Sequence, residues 1–243
     1  MDRAYDVVLL DALGTLLDLE PPGPHLVAAL AARGVTVGED LAHRAMVAEM
    51  TYYRAHCDGA GTPAALEDLR DRCAAIVARE LGAAAAALPA TEVRAAMLDA
   101  FRFPAYPEVP AVLRALRATG ARLVVVSNWD VSLHDALRAA GLDGLLDGAV
   151  SSAETGVAKP DPALLHAALG LVPAVAPDRV LMVGDTPPDV LAARAAGVAA
   201  VLVDRFGAVA ADDPLLTGPP RAHHAPDLRG LPELVAGPGP YPG

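Results

Sequence analysis

Short runs of Val and Leu, each ending at a polar residue, constrain the fold of this chain more than any other feature of its sequence. Four clear runs cover residues 5–11, 121–128, 178–185 and 198–204, and a weaker one covers 148–152. Their apolar residues do not alternate with polar ones, which is typical of parallel strands that are covered on both faces. Segments with helical periodicity separate the later runs, so the sequence predicts an α/β fold with a doubly wound parallel sheet.

The segment between the first two runs is far too long to be a single crossover helix. It is rich in Ala, Leu and Arg, and Gly and Pro residues divide it into several helical stretches. We therefore expect an α-helical domain at residues 17–100, inserted over the carboxyl edge of the sheet. The α/β core is then formed by residues 1–16 and 101–243. The Gly- and Pro-rich tail, residues 237–243, is expected to be disordered.

Charge and composition limit the possible partners. The formal net charge is −11 and no basic run is present, so we expect no binding to nucleic acid or to an anionic membrane surface. The chain has no apolar stretch of about 18 residues, which predicts that it does not span a membrane. Its N-terminus does not resemble a secretory signal, and its 2 cysteines do not form a disulfide framework. We therefore expect a cytoplasmic protein. The sequence gives no indication of its oligomeric state.

Polar side chains follow the predicted strands at the points where those strands end. These residues are Asp11, Ser127, Asn128, Lys159, Asp185 and Asp189. In an open α/β sheet, ligands bind at the carboxyl ends of the strands, so we expect these side chains to converge at one edge. Lys159 is the one lysine of the chain, whose other basic residues are all Arg. This usage has two explanations: a need for a compact ammonium at position 159, or an Arg-rich coding bias.

The three predicted carboxylates would repel one another and take up protons unless a cation lay among them. Oxygen ligands favour a hard ion, and Mg²⁺ suits a site that also holds a phosphate group. Asp11 is then placed to attack phosphorus in line and to form an acyl phosphate that water hydrolyses. The sequence therefore predicts a Mg²⁺-dependent hydrolase that acts on a small phosphorylated metabolite.

The order of the motifs resembles that of the haloacid dehalogenase-like (HAD) hydrolase superfamily. The matching residues are Asp11, Gly14, Thr15, Ser127, Asn128, Lys159, Pro160, Gly184, Asp185 and Asp189. Each motif is weak by itself, but their order, their strand context and the position of the insert agree. The insert resembles the helical C1 cap of the dehalogenase and phosphoglycolate-phosphatase branch, which is of the subfamily IA type. The resemblance covers nearly the whole chain.

The resemblance implies a role for each of these residues. Asp11 is expected to be the nucleophile and a metal ligand, Asp185 is expected to be a second ligand, and Asp189 is expected to support the metal through water. The backbone carbonyl of Leu13 is also expected to bind Mg²⁺, which does not depend on its side chain. For the substrate, the resemblance implies that Ser127 and the backbone of Asn128 bind phosphate. Lys159 is expected to neutralise charge during catalysis.

Leu13 departs from the family pattern, because phosphatases of this family carry at that position an Asp that serves as the general acid. Loss of such a group commonly costs on the order of 10²–10⁴ in rate. One explanation is a phosphatase that acts on good leaving groups or takes its acid from elsewhere. Candidate donors in the insert are His25, His43, His56, Tyr52 and Tyr53. The alternatives are a 2-haloacid dehalogenase, because halide leaves without a proton, and a binding or regulatory pseudoenzyme with low turnover.

Four further residues are not expected to take part in the chemistry. Asp130 precedes a helical segment and is predicted to be its N-cap. Arg205 follows the last strong strand and is expected to pair with a carboxylate. His223 and His224 lie in a Pro-rich stretch and are expected to be solvated rather than to bind a metal.

Overall fold

A six-stranded parallel sheet forms the centre of the molecule in a computed structural model, which describes residues 3–210, 212–217, 219 and 222–237. The strands are β1 Val7–Leu10, β2 Arg122–Ser127, β3 Gly148–Ser151, β4 Val180–Gly184, β5 Ala199–Val203 and β6 Ala222–Ala225. Their order across the sheet is β3-β2-β1-β4-β5-β6, and every neighbouring pair is parallel. The predicted doubly wound parallel sheet is therefore confirmed, with β1 near its middle.

The helices follow the strands as a doubly wound fold requires. They are α1 Pro22–Ala31, α2 Glu39–His56, α3 Pro63–Leu81, α4 Ala90–Ala100, α5 Val109–Ala118, α6 Leu133–Ala139, α7 Ser152–Thr155, α8 Ala163–Leu169, α9 Pro187–Ala195, α10 Pro214–Thr217 and α11 Leu231–Ala236. Helices α5, α6 and α11 cover one face of the sheet, and α8 and α9 cover the other. None of the helices in the described part of the chain is long and apolar enough to span a bilayer.

Both faces of the sheet are apolar because successive side chains of a strand point to opposite sides. In β1, Val8 and Leu10 pack on the face that α5 covers, whereas Val7 and Leu9 pack on the face that α8 covers. All four are buried. The Val- and Leu-rich runs are thus explained by two separate apolar layers on one sheet.

Helices α1 to α4 lie between β1 and α5 in sequence and pack on one another around an apolar core of their own. Leu26, Met46, Leu69 and Met97, one from each helix, are almost completely buried in that core. The helical content predicted for residues 17–100 is therefore present. The boundaries of that segment as a separate domain remain a prediction.

The structure corrects one detail of the sequence analysis and extends another. His223 and His224 lie in the edge strand β6, and the side chain of His224 is exposed, as expected, and pairs with Asp204 at 3.2 Å. The N-cap of α6 is Ser132 rather than Asp130, whose carboxylate instead accepts from the Ser132 amide at 2.6 Å. Of the tail that is expected to be disordered, residues 238–243 lie outside the described residues.

Candidate active site

Three carboxylates meet at the carboxyl edge of the sheet, where the sequence predicts a site. Asp11 directly follows β1, Asp185 directly follows β4, and Asp189 lies in the first turn of α9. One carboxylate oxygen of each residue lies within 4.8 Å of those of the other two. The central strands β1 and β4 are neighbours, and this explains why residues distant in sequence converge here.

Lys159 lies between two of these acids. Its ammonium Nζ is 2.6 Å from Asp11 Oδ1 and 2.6 Å from Asp189 Oδ1, and it donates a third hydrogen bond to the Val126 carbonyl at 2.9 Å. The side chain is only 3% exposed. An ammonium has three donors, and all three are used, so this position makes full use of a lysine. The single Lys of the chain therefore lies inside the acidic cluster.

Ser127 and Asn128, at the end of β2, contact the same group of residues. The Ser127 hydroxyl donates to Asp11 Oδ1 at 2.9 Å. The Asn128 side chain makes two hydrogen bonds to the backbone of Lys159, accepting from its amide at 2.8 Å and donating to its carbonyl at 2.9 Å. Asn128 therefore fixes the backbone that carries the ammonium. This contact of the amide side chain was not predicted.

Asp189 is held in place by Thr186, a residue that was not predicted to belong to the site. Its Oδ2 accepts from both the amide and the hydroxyl of Thr186, at 3.0 and 2.6 Å, while Oδ1 faces Lys159. Thr186 and Asp189 form a capping box at the start of α9. The spacing Thr-x-x-Asp before a helical segment was the sequence signal for this contact. With both oxygens engaged, Asp189 is better placed to support a metal indirectly than to bind it directly.

The loop after β1 lies against Asp185. Gly14 adopts a positive φ of 84°, and a Cβ at this position would lie 2.1 Å from Asp185 Oδ2. Only glycine allows this close approach. The Thr15 hydroxyl donates to Asp185 Oδ1 at 3.1 Å. Gly14 and Thr15 therefore pack the loop that follows β1 against Asp185, which follows β4.

Burial and mutual repulsion shift the pKa values of the cluster. Burial raises the pKa of Asp185 to about 7, and the charges of Asp11 and Asp189 contribute to the rise. Burial also raises the pKa of Asp11, although Lys159 and Ser127 oppose this by stabilising the anion. Burial alone would lower the pKa of the Lys159 ammonium, but the two neighbouring carboxylates outweigh it and raise that pKa. The cluster thus holds three acids and one ammonium, so the ammonium balances the charge of only one of them.

The donor atoms that remain are suited to a hard divalent cation. Asp11 Oδ2 accepts no hydrogen bond from the described residues, and the carbonyl oxygen of Leu13 accepts none either. Asp185 is engaged through one oxygen by Thr15. These are oxygen donors in an acidic, half-buried setting, which is the donor set that Mg²⁺ prefers. The residues therefore fit the predicted metal.

Four of the five candidate proton donors of the insert contact other groups. The Tyr53 hydroxyl donates to Asp130 at 2.8 Å, and His25 lies 2.8 Å from Glu20. Tyr52 stacks on His56 with ring centroids 4.0 Å apart. Among the described residues, no hydrogen bond joins these four groups or His43 to the acidic cluster. The described part of the chain therefore identifies no group that replaces the acid that Leu13 lacks.

Comparison with known proteins agrees with this geometry. A family model described as haloacid dehalogenase-like hydrolase matches residues 5–197. The solved structure of L-2-haloacid dehalogenase from Xanthobacter autotrophicus superposes with a TM-score of 0.64 at 21% identity and covers 95% of this chain and 98% of that one. At this identity the superposition shows the fold alone.

Curated relatives include both phosphatases and dehalogenases. Phosphoserine phosphatase of Thermus thermophilus is 43% identical over 106 residues, 43% of this chain and 42% of that protein. Phosphoglycolate phosphatase of Rhodospirillum rubrum is 41% identical over 99 residues, 40% of this chain and 41% of that protein. (S)-2-haloacid dehalogenase 1 of Pseudomonas sp. is 31% identical over 150 residues, 61% of this chain and 64% of that protein. These matches span about half the length of the relatives. This chain belongs to the haloacid dehalogenase-like hydrolase family, whose model matches most of its length.

Proposed function

We propose that this protein is a Mg²⁺-dependent phosphatase that hydrolyses a small phosphorylated metabolite in the cytoplasm through a phospho-aspartyl intermediate on Asp11. The observation that carries this proposal is the group of three carboxylates with oxygens within 4.8 Å of one another. A reaction that needs only a nucleophile does not require Asp185, whose pKa rises to about 7 when no cation is present. A metal-dependent reaction does require it.

The residues that would hold the metal are Asp11, Asp185 and the carbonyl of Leu13, with Asp189 behind them. When bound, Mg²⁺ would neutralise the charge that develops on the transferred phosphoryl group. Lys159 would contribute a second positive charge, next to Asp11 Oδ1. The Ser127 hydroxyl donates to Asp11 Oδ1 in the absence of substrate, and rotation about its side-chain bond would let it donate to a phosphate oxygen instead.

The bond changes involve Asp11, the leaving oxygen of the substrate and a water oxygen. Asp11 Oδ2 attacks phosphorus, a new P–O bond forms, and the bond from phosphorus to the leaving oxygen breaks. Oδ1 stays hydrogen-bonded to Lys159, which orients the carboxylate. Water then attacks the same phosphorus, the bond to Asp11 breaks, and inorganic phosphate is released with the carboxylate restored.

Leu13 determines which substrates suit this site. Its side chain cannot protonate the leaving oxygen, so alkoxide leaving groups should react slowly. Leaving groups that are stable anions, such as acyl, aryl or phosphate groups, need little protonation. We therefore propose a substrate with a good leaving group. Helices α1 to α4 are proposed to act as the cap that selects it.

A screen of phosphorylated metabolites with Mg²⁺ tests the proposal, with Asp11→Asn as the blank. We expect phosphate release by the wild-type protein, none by the variant, and loss of activity in chelator. Phenyl phosphates of graded leaving-group acidity should show rates that rise steeply with acidity. Equal phosphate release by wild type and Asp11→Asn would contradict the proposed nucleophile.

A 2-haloacid dehalogenase is the second candidate, because an apolar Leu13 is compatible with a leaving halide and one curated relative carries that name. In that reaction Asp11 Oδ2 would displace halide from carbon, and water would then hydrolyse the ester. Release of halide from 2-chloropropionate in chelator, without phosphate release from any metabolite, would select this candidate.

A further inference from the structure

Arg205 connects the end of β5 to the loop that follows β1. Its Nε donates to the Gly14 carbonyl at 3.0 Å, and its Nη2 donates to the Thr15 carbonyl at 2.7 Å. The same guanidinium thus binds two consecutive carbonyls of the loop that begins at Asp11. Those two residues also contact Asp185, through the close approach of one and the hydroxyl of the other.

The opposite side of the guanidinium is also fixed. Its Nη1 forms an ion pair with Glu108 Oε1 at 2.7 Å, and the two side chains are only 11% and 8% exposed. The plane of the group lies over the Tyr106 ring, 3.5 Å from its centroid. A buried, stacked and ion-paired guanidinium has little freedom to move, so the loop carbonyls that it binds are held by a rigid support.

In this loop, residues 12–17, five of the six backbone carbonyls accept a hydrogen bond from the described residues and one does not. Backbone amides bind three of them, those of Ala12, Leu16 and Leu17. Arg205 binds two more. The carbonyl of Leu13 alone accepts no hydrogen bond from the part of the chain that the structure describes. The loop therefore presents one free carbonyl, next to the two that Arg205 holds.

We propose that Arg205 is a positioning residue that holds this loop so that the Leu13 carbonyl and Asp11 face the metal together with Asp185. The inference rests on the proposed function, since it assigns Arg205 a role in forming that metal site. Arg205 does not touch the acidic cluster through any hydrogen bond among the described residues. It acts through the backbone of Gly14 and Thr15.

The proposal requires the forked shape of arginine rather than its charge. Two carbonyls and one carboxylate are bound by three different nitrogens of the same planar group. A lysine has one nitrogen and cannot lie against all three acceptors while it also covers the Tyr106 ring. Arg205→Lys therefore keeps the positive charge and loses the geometry, which separates positioning from simple charge compensation.

The test compares Arg205→Lys with the wild-type enzyme. Titration calorimetry with MgCl₂ measures metal binding without turnover, and steady-state kinetics with the best phosphate substrate measure kcat and KM. Residues that support metal ligands typically contribute about 10–100-fold in metal affinity or activity. We expect Arg205→Lys to weaken Mg²⁺ binding by about 10-fold or more and to lower kcat, with a smaller change in KM. A thermal unfolding curve should show that the variant is still folded at the assay temperature.

A control variant separates this role from general damage. Arg122→Lys removes a guanidinium that pairs with Asp147 at the amino end of β2, whereas the loop lies at the carboxyl edge of the sheet. Its Mg²⁺ affinity should stay within about threefold of wild type. Mg²⁺ affinity in Arg205→Lys within threefold of wild type, or weakened equally in Arg122→Lys, would overturn the proposal.

Failure of the inference is distinguishable from failure of the proposed function. Mg²⁺ binding and Asp11-dependent phosphate release that persist in Arg205→Lys refute the role of Arg205 and leave the proposed function standing. If calorimetry detects no Mg²⁺ binding to the wild-type protein, the metal-dependent function itself fails, and the role of Arg205 fails with it.

Discussion

At the scale of single residues, Leu13 is the position at which this site departs most from a general-acid phosphatase. Its side chain is half-buried and packs against the apolar layer that contains Leu17 and Trp129. Its backbone carbonyl accepts no hydrogen bond from the described residues. Under the proposed function, Leu13 would keep the role of the backbone carbonyl toward the metal and would lack the role of the acidic side chain.

Leu13→Asp should restore the missing acid. We expect hydrolysis of alkyl phosphates to rise by on the order of 10²-fold, within the range that general acid catalysis contributes. Phenyl phosphates with acidic leaving groups should change little, because they do not need the proton. The measurement is kcat/KM for an alkyl and an aryl phosphate at saturating Mg²⁺.

Leu13→Asn is the matched control, since it has the size and polarity of Asp but no proton to transfer as an acid. It should give no gain on alkyl phosphates. An equal gain in both variants would show that polarity matters rather than acid catalysis. No gain from Asp, with Mg²⁺ still bound, would mean that another group already supplies the proton.

Most residues of the site could be predicted because they end a strand or closely follow one, although Lys159 lies beyond α7. Asp11, Ser127 and Asp185 were accessible in this way, since strand ends converge by topology alone. The capping box of Thr186 and Asp189 also had a sequence signal, but the backbone contacts of Arg205 did not. Arg205 reaches across the sheet edge to the backbone of Gly14, and such a contact depends on a rotamer and a packing partner rather than on any local sequence pattern.

At the scale of elements, apolar runs identified the interior strands, and a weaker run identified the edge strand β3, but the other edge strand, β6, was missed. Strands β1, β2, β4 and β5 are buried on both faces and therefore consist almost entirely of apolar residues. Strand β6, with the sequence AHHA, pairs with β5 on one side only. An edge strand can carry polar side chains, so a search for apolar runs does not find it.

Helices α2 and α3 bury an acid between them. Glu49 on α2 is 2% exposed, and its Oε2 has no hydrogen-bond partner. Burial raises the pKa of Glu49 to about 7, although a hydrogen bond with Cys73 on α3 opposes the rise. Because the folded-state pKa exceeds that of the unfolded chain, folding takes up a proton between these values. Stability is then fully present at low pH and falls as the pH rises through about 7.

Glu49→Gln should remove this pH dependence while retaining the size of the side chain. A displacement of the pKa from about 4.5 to about 7 corresponds to roughly 3 kcal/mol of unfolding free energy. Between pH 4 and pH 8, we expect the free energy of unfolding of the wild-type protein to fall by about that amount relative to the variant. Urea denaturation at a series of pH values measures the difference.

Glu39→Gln, at an exposed position of the same helix, is the control and should follow the wild-type curve. The interpretation fails if the curves of Glu49→Gln and the wild type remain parallel across this range. In that case the buried carboxyl would not be titrating with an elevated pKa.

At the scale of the whole molecule, the helical insert is joined to the core beside the active site. Asp58 accepts from the Ser152 hydroxyl at 2.5 Å, and the Val131 amide donates to the Ala60 carbonyl at 3.3 Å. A Cβ at Gly61 would lie 2.3 Å from the Ala153 carbonyl oxygen, so only glycine permits this approach. In the core, these contacts lie on the loop that follows β2, which ends at Ser127, and on α7, which directly follows β3. Movement of the insert would therefore be transmitted to the edge of the site.

Tyr53 provides the strongest test of this junction. Its hydroxyl donates to Asp130 Oδ2 at 2.8 Å, and Asp130 is only 3% exposed. Tyr53→Phe would leave one oxygen of a buried carboxylate without its donor, and hydrogen bonds to charged groups contribute about 1.5–3 kcal/mol. We expect the free energy of unfolding to fall by about 2 kcal/mol in urea denaturation.

The neighbouring Tyr52 offers a matched control, because its hydroxyl accepts from the exposed Arg72 side chain. Tyr52→Phe should lower the free energy of unfolding by no more than about 0.5 kcal/mol. Equal losses in the two variants would show that the Tyr53–Asp130 contact adds nothing beyond an ordinary surface hydroxyl, and the insert would then be held by its other contacts with the core.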